Sequence, residues 1–72
     1  MRTYLKDVLG REVYDRRRAS HKTQEELAEE VGVSADSILK IEKGYITPGV
    51  DKVWAIAVAL DCSPNELLGW NK

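Results

Sequence analysis

Apolar residues near the start of the chain recur at the three- and four-residue spacing of an α-helix. They are Leu5, Val8, Leu9 and Val13. This stripe predicts a first helix over about residues 3–19. Gly10 lies inside the stripe and weakens the helix by about 1 kcal/mol relative to Ala, which leaves room for a break or kink there.

The stretch from residue 23 to residue 44 predicts two short helices joined by a tight turn. Its apolar positions form two sets: Leu27, Ala28 and Val31, then Val33, Ile38 and Ile41. The first set lies on one helical face, and Ile38 and Ile41 pair at helical spacing in the second. Gly32 lies between the two sets, where a bend needs a positive φ angle. This is the pattern of a helix-turn-helix, in which the second helix is offered to the major groove of DNA.

Capping residues mark the ends of these two helices. Thr23 and Glu26 have the spacing of a capping box at the start of the first. Ser34 is placed to cap the second, which should run over about residues 35–43. Gly44 then occupies the C′ position that Gly favours.

Two further helices are predicted after this unit. One covers about residues 50–60 and is apolar nearly all round, so it is either central or shared with a partner. Its expected apolar face consists of Val50, Val53, Trp54, Ala57 and Leu60. A last short helix begins with Ser63 as its cap and Pro64 at its first position, and Gly69 ends it.

The length of 72 residues suits one small domain. We therefore expect an all-α fold, a compact five-helix bundle over residues 1–72 with its helix-turn-helix at about residues 23–44. A core of this size is marginal, so burial in a dimer interface would help it. The lone Cys62 fits a reducing cytoplasm. No apolar run approaches the roughly 20 residues of a membrane span, and we expect an intracellular, soluble protein.

The net charge of −1 is unevenly distributed. Residues 1–22 hold seven Lys and Arg against three acids, whereas residues 23–48 hold two Lys against six acids. The predicted helix-turn-helix is thus acidic, and the positive charge lies in the first helix. Because phosphate contacts dominate non-specific DNA affinity, such affinity should be weak, while specific binding is still compatible with this distribution.

Residues typical of catalysis or metal binding are too sparse to predict an enzyme. The sequence has no nucleophile–base arrangement and no metal constellation. His21 is the only His and has no Cys nearby, so it does not predict a metal site. We expect no cofactor, no metal and no small-molecule ligand.

Four blocks of sequence occur in the order and spacing of a known family: TQEELAEEVGVS, SILKIEKG, the helix after Pro48, and SPNELL. Over about residues 9–68 the chain resembles the phage-repressor-like helix-turn-helix family, the XRE type within the lambda-repressor-like fold. The resemblance implies a prokaryotic or phage-encoded, cytoplasmic transcriptional regulator that binds double-stranded DNA sequence-specifically. It also implies a homodimer on a two-fold operator, whose half-sites lie about 34 Å apart.

The resemblance also assigns DNA contacts. Gln24 would pack against the DNA backbone, and the outer side of the third helix would enter the groove. The expected DNA-binding residues are Thr23, Gln24, Ser34, Ala35, Asp36, Ser37, Lys40, Lys43, Tyr45 and Thr47. Lys40 would reach guanine O6 and N7 or a phosphate, and the backbone amides around Gly44 would hold phosphate. Asp36 would either accept a hydrogen bond from cytosine N4 or only interact with the positive end of the helix dipole. Leu39 would be exposed and would contact either a thymine methyl group or a dimer partner.

An acid near the end of a helix, such as Glu42, opposes the helix dipole and suggests a fixed partner. In the family that partner is an Arg late in helix one, which is Arg17 here; the alternative is an exposed acid. The chain departs from the family pattern at Arg16, His21 and Lys22, where an apolar residue, Gly and a second apolar residue are usual. These departures leave the packing of the loop after helix one open.

Apolar side chains on the last two helices are candidates for a dimer interface. They are Trp54, Val58, Leu67, Leu68 and Trp70, with Tyr4 and Leu5 as a second candidate surface. The alternative is that the Trp residues belong to the core, which the pattern favours more for Trp54 than for Trp70.

Two function classes are compatible with the sequence. The favoured one is a DNA-binding regulator, such as a phage repressor, a plasmid regulator or the controller of a restriction–modification system. The other is a protein-interaction module, antitoxin-like, in which DNA binding is secondary; the acidic middle of the chain favours it.

Overall fold

The computed structural model describes residues 4–69 of the chain. This part contains five α-helices joined by loops and no β-strand. They are α1 (Leu5–Ala19), α2 (Gln24–Val31), α3 (Ala35–Glu42), α4 (Val50–Ala59) and α5 (Pro64–Leu67). The predicted all-α, five-helix architecture is confirmed. Within these residues no helix is long and apolar enough to cross a membrane.

The helices begin at the capping residues that the sequence indicated. Thr23 Oγ1 accepts from the Glu26 amide at 3.0 Å, and the Glu26 carboxylate accepts from the Thr23 amide at 2.8 Å. This confirms the capping box of α2. Ser34 caps α3 by accepting from the Ser37 amide at 3.1 Å. A second capping box, at the start of α5, was not predicted.

Two helices end on a residue other than Gly in the left-handed region. His21 follows α1 with φ 60°, and Asp61 follows α4 with φ 57°. The amide of Lys22 then donates to the Arg17 carbonyl at 3.2 Å, which closes the end of α1. His21 therefore occupies the position where the family usually has Gly, and it adopts the backbone conformation that Gly would adopt more easily.

The core lies between α1, the helix-turn-helix and α4. Its buried apolar residues are Leu9, Val13, Leu27, Ala28, Val31, Ile38, Ile41, Val53, Ile56, Ala57, Leu60 and Leu67. Five of the six apolar positions that defined the helix-turn-helix in the sequence are among them, and the sixth, Val33, is half-buried against the core. The sequence pattern therefore identified the inner faces of α2 and α3 correctly.

Gly10 permits a close approach between α1 and α3. The helix runs unbroken through this position, so the kink that Gly10 made conceivable does not occur. A Cβ atom built there would lie 2.5 Å from the Ile41 carbonyl oxygen and 2.8 Å from that of Glu42. The backbone of α1 thus packs directly against the last turn of α3.

The inner face of α4 differs from the predicted one. Val50 is 85% exposed and Trp54 is 65% exposed, so neither belongs to the core. The buried face consists of Val53, Ile56 and Ala57. Both faces are apolar and at helical spacing, and the sequence pattern could not distinguish them because α4 is apolar nearly all round.

The predicted dimer surface is only partly available. Trp54 and Val58 are exposed, but Leu67 is fully buried and cannot contribute, because α5 places it against the core. Leu68 is half-buried beside the core. Trp70 lies outside the described residues. The alternative placement of Trp54 in the core is wrong.

Candidate nucleic-acid interface

A buried ion pair joins α1 to the end of α3. Arg17 Nε donates to Glu42 Oε2 at 2.6 Å and Arg17 Nη2 donates to Glu42 Oε1 at 3.1 Å. The two side chains are 8% and 3% exposed. The Arg17–Glu42 pair implied by the family resemblance is therefore present. The hydrogen bond to Glu42 raises the pKa of the Arg17 guanidinium, against the opposing effect of burial.

The same pair also holds α2 and the loop that precedes it. Arg17 Nη1 donates to the Lys22 carbonyl at 2.8 Å, and Gln24 Nε2 donates to Glu42 Oε1 at 3.1 Å. Gln24, the first residue of α2, is thereby fixed in a half-buried position. The hydrogen bond from Gln24 to Glu42 was not predicted, because residues 18 apart in sequence give no spacing signal.

Lys22 anchors the loop after α1 to the far side of the domain. Its Nζ donates to Glu30 Oε1 at 2.6 Å and to the Ala59 carbonyl at 2.8 Å, the latter at the C-terminus of α4. Lys22 thus stands where the family usually has an apolar residue, and its ammonium group bonds to α2 and to the end of α4. His21 and Thr23 on either side line a shallow depression beside Gln24.

The outer side of α3 carries a second ion pair. Lys40 Nζ lies 3.0 Å from Asp36 Oδ2, one turn away, and both side chains are about half exposed to solvent. Lys43 follows on an exposed position. Asp36 therefore does more than complement the helix start: its charge is balanced by Lys40.

Of the other residues predicted for the groove-facing side, Ser34 is exposed and three are less so. Ala35 is half-buried and packs on the core, and Ser37 is half-buried. Ser34 Oγ lies 3.0 Å from Ser37 Oγ, and both hydroxyls are engaged at the start of α3. Leu39 is half-buried rather than exposed as predicted. The outward row of α3 thus consists of Asp36 and Lys40, with Lys43 just after the helix and Ser34 at its start.

The prediction that the loop after α3 offers free amides to a phosphate is wrong. The amides of Lys43, Gly44 and Tyr45 donate to carbonyls of the preceding turn at 2.9–3.0 Å. They close the end of α3 in the manner expected of a Gly at C′, so they are not free to bind phosphate. The side chains of Lys43, Tyr45 and Thr47 remain exposed.

Tyr14 organises the cationic end of α1. The hydroxyl of Tyr14 accepts from Arg18 Nη1 at 2.7 Å, and the guanidinium groups of Arg17 and Arg18 each lie 5.5 Å from the ring centroid. Arg16 instead pairs with Glu12 at 3.0 Å. Of the three consecutive Arg residues, Arg18 is the one whose side chain is exposed, and it borders the depression beside Gln24.

Metal-ligating side chains do not cluster in the described part of the chain. No group of three or more His, Cys, Asp or Glu is arranged to hold a metal ion within residues 4–69. Cys62 is half-buried, and burial raises the pKa of its thiol.

Comparisons with known proteins agree with this geometry. A family described as "Helix-turn-helix" matches residues 13–67. The cryptic phage CTXphi transcriptional repressor RstR of Vibrio cholerae is 40% identical over 55 residues, which cover 76% of this chain and 49% of that protein. The chain therefore spans about half the length of this relative.

Two solved structures have the same fold. The P22 c2 repressor, in complex with a synthetic operator, superposes with a TM-score of 0.85 at 32% identity, covering 96% of this chain and 100% of that one. The restriction–modification controller protein C.AhdI from Aeromonas hydrophila superposes with a TM-score of 0.82 at 27% identity, covering 86% and 94%.

Proposed function

We propose that the chain, which belongs to the helix-turn-helix family, is a repressor-type DNA-binding transcriptional regulator that binds a two-fold operator sequence-specifically as a homodimer, and its similarity to phage repressors supports this. In this proposal α3 enters the major groove and α2 lies across the DNA backbone. The similarity to a phage repressor supports a location in the cytoplasm of a prokaryotic cell.

The outward row of α3 carries this proposal. Asp36, Lys40 and Lys43 are exposed, polar and able to meet base edges or phosphates, whereas the opposite side of the same helix is buried through Ile38 and Ile41. A helix packed on one side and charged on the other fits a groove-reading role better than a purely structural one.

Gln24 supports the placement of α2 on the backbone. Glu42 takes one hydrogen of the Gln24 amide, and the second is available to a phosphate oxygen. Thr23 and Arg18 lie at the same depression, where a phosphate would meet a hydroxyl and a cation. Arg18 in this way supplies from α1 the positive charge that the helix-turn-helix lacks.

The exposed row on α4 supports a homodimer. Val50, Trp54 and Val58 follow each other at four-residue intervals and are 85%, 65% and 67% exposed. Such a row can pack against its own copy around a two-fold axis. Beside Trp54 lies an apolar groove of about 340 Å³ that is also lined by Leu5 and Leu68. A second copy of the chain would cover both this row and the groove. Dimerisation would also double the number of base contacts.

A protein-interaction module is the second candidate function. The outer side of α2 is acidic, with Glu25, Glu26 and Glu29 exposed, and it would suit a basic partner protein.

The proposal is tested by selecting duplexes from a random library with the purified protein and then titrating the selected site against unselected DNA at several salt concentrations. We expect a two-fold motif, a strong preference for it and a steep loss of affinity with salt. Binding to neither DNA at low salt would contradict the proposal and favour the protein-interaction module.

Variants separate the two kinds of contact. Gln24→Ala removes a phosphate contact and should weaken binding to all sequences alike, whereas Lys40→Ala should relax the preference for particular bases. Equal effects of both variants on every sequence would contradict the roles assigned to these residues.

A further inference from the structure

Asp36 and Lys40 place a hydrogen-bond acceptor and a donor side by side on the outward side of α3. Lys40 Nζ lies 3.0 Å from Asp36 Oδ2, and the Lys40 and Asp36 side chains are 49% and 64% exposed. An exposed pair of this kind contributes little to stability. Its two charged ends therefore form a small recognition element that the fold itself does not require.

The major-groove edge of one C·G base pair presents the complementary arrangement. Cytosine offers the N4 donor, and guanine offers O6 and N7 as acceptors. Within the base pair, N4 and O6 are joined by a Watson–Crick hydrogen bond and so lie about 2.9 Å apart. This spacing matches the distance between the carboxylate oxygen of Asp36 and the ammonium nitrogen of Lys40.

We propose that Asp36 and Lys40 together read a single C·G base pair, Asp36 accepting from cytosine N4 and Lys40 donating to guanine O6 and N7. The four polar atoms close a ring in which each donor faces an acceptor. This inference rests on the proposed function, because it requires α3 in the major groove.

The other base pairs fit this element less well. In the reversed orientation, G·C, guanine O6 faces the Asp36 carboxylate and the cytosine amino group faces the Lys40 ammonium, so both contacts are repulsive. An A·T pair offers adenine N6 to Asp36 and thymine O4 to Lys40, but the next group along the edge is a methyl instead of a second acceptor. The expected order is C·G, then A·T, with G·C and T·A last.

The pair also explains how an acidic residue can face DNA. A lone carboxylate on α3 would be repelled by the phosphates on both sides of the groove. Lys40 compensates the charge of Asp36 at 3.0 Å, so the pair enters the groove with no net charge and contributes to base selection more than to general affinity.

The test is selection from a random duplex library with the wild type, Asp36→Ala and Lys40→Ala. We expect the wild type to select C·G at one position of each half-site, with about a 10- to 100-fold loss of affinity for G·C there. Both variants should lose this preference at the same position and keep the rest of the motif. Changes at two different positions, or no change in either variant, would overturn the proposal.

The exchanged variant Asp36→Lys/Lys40→Asp gives a sharper result. It reverses donor and acceptor, so it should select G·C where the wild type selects C·G; retention of C·G would overturn the proposal. Lys43→Ala is the matched control, and it should lower affinity for all sequences without changing the motif. A wild type that selects no motif at all contradicts the proposed function itself, which keeps the two failures apart.

Discussion

The two ion pairs of α3 share their chemistry and differ in almost everything else. Arg17 and Glu42 meet at 2.6 Å with side chains 8% and 3% exposed, and Gln24 shares the same carboxylate. Asp36 and Lys40 meet at 3.0 Å within one helix, and their side chains are 64% and 49% exposed. The first pair joins three elements that are distant in sequence. The second joins residues one turn apart on the exposed side, so one side of the helix is fixed to the rest of the domain and the other side is open to a partner.

Breaking the buried pair should give the largest effect. Glu42→Ala leaves the Arg17 guanidinium buried without its carboxylate, which costs about 3–5 kcal/mol. A domain of this length has a total stability of about 4–11 kcal/mol, so much of it would be lost. Asp36→Ala should change stability by less than about 0.5 kcal/mol. Urea denaturation of the two variants measures the contrast, and similar losses in both would contradict it.

A double variant distinguishes loss of the charge pair from loss of packing. Arg17→Met/Glu42→Leu replaces the pair with apolar side chains and should be clearly more stable than Glu42→Ala. It should still bind DNA less tightly than the wild type, because Gln24 loses the acceptor that orients its amide. Wild-type affinity in this double variant would show that the pair has no positioning role.

Gly10→Ala should have the next largest effect. The new Cβ atom would lie 2.5 Å from the Ile41 carbonyl oxygen, a backbone atom that cannot move aside cheaply. Helix propensity alone would favour Ala by about 1 kcal/mol, whereas the clash costs about 1–3 kcal/mol. We expect net destabilisation, measured by thermal denaturation, and a displaced α3 that weakens DNA binding. A rise in stability would mean that α1 and α3 are farther apart than described.

Gly10 also marks where inference from the sequence ends. Local propensity treats Gly10 as a weak point of α1. Its actual role depends on the carbonyl groups of Ile41 and Glu42, which are more than 30 positions later in the chain. The inner faces of α2 and α3 were predicted correctly because each helix has only one apolar side. The capping box at Thr23 was also correct, since its bonds form within four residues.

The inner face of α4 was predicted only in part, for the opposite reason: Val53, Ala57 and Leu60 are buried as predicted, whereas Val50 and Trp54 are exposed. A helix that is apolar all round gives periodicity no contrast, so Trp54 could be placed either in the core or at the surface. Burial of Leu67 depends on how α5 folds back onto α1, which no local pattern encodes. The engaged amide of Tyr45 could have been foreseen, because Gly44 at C′ already implied that the next amide closes the helix.

His21→Gly should raise stability by a smaller amount, about 0.5–1 kcal/mol. The left-handed conformation costs a residue other than Gly about 1–2 kcal/mol of folding stability. Gly avoids this cost but adds an entropic cost of its own of about 0.5–1 kcal/mol, so the net gain is the difference. His21 is exposed, so no packing is lost. Ser20→Gly is the matched control: Ser20 has φ −87° and should gain nothing. Chemical denaturation compares the two, and an equal response in both would contradict the strain at His21.

The smallest effect concerns the exposed acid that caps α5. The Ser63 amide donates to Glu66 at 2.8 Å, and this bond, with help from the Arg16 cation, holds the pKa of Glu66 below its usual 4.5 against slight desolvation. Because the folded pKa is lowered, its contribution to stability is complete above pH 4.5 and is lost as the pH falls through the folded value. Glu66→Gln should therefore show a shallower loss of stability below about pH 4.5 in urea denaturation. Identical pH profiles for the wild type and the variant would mean that the α5 cap contributes nothing measurable to stability. The cap would then resemble the exposed Asp36–Lys40 pair and differ from the buried Arg17–Glu42 pair.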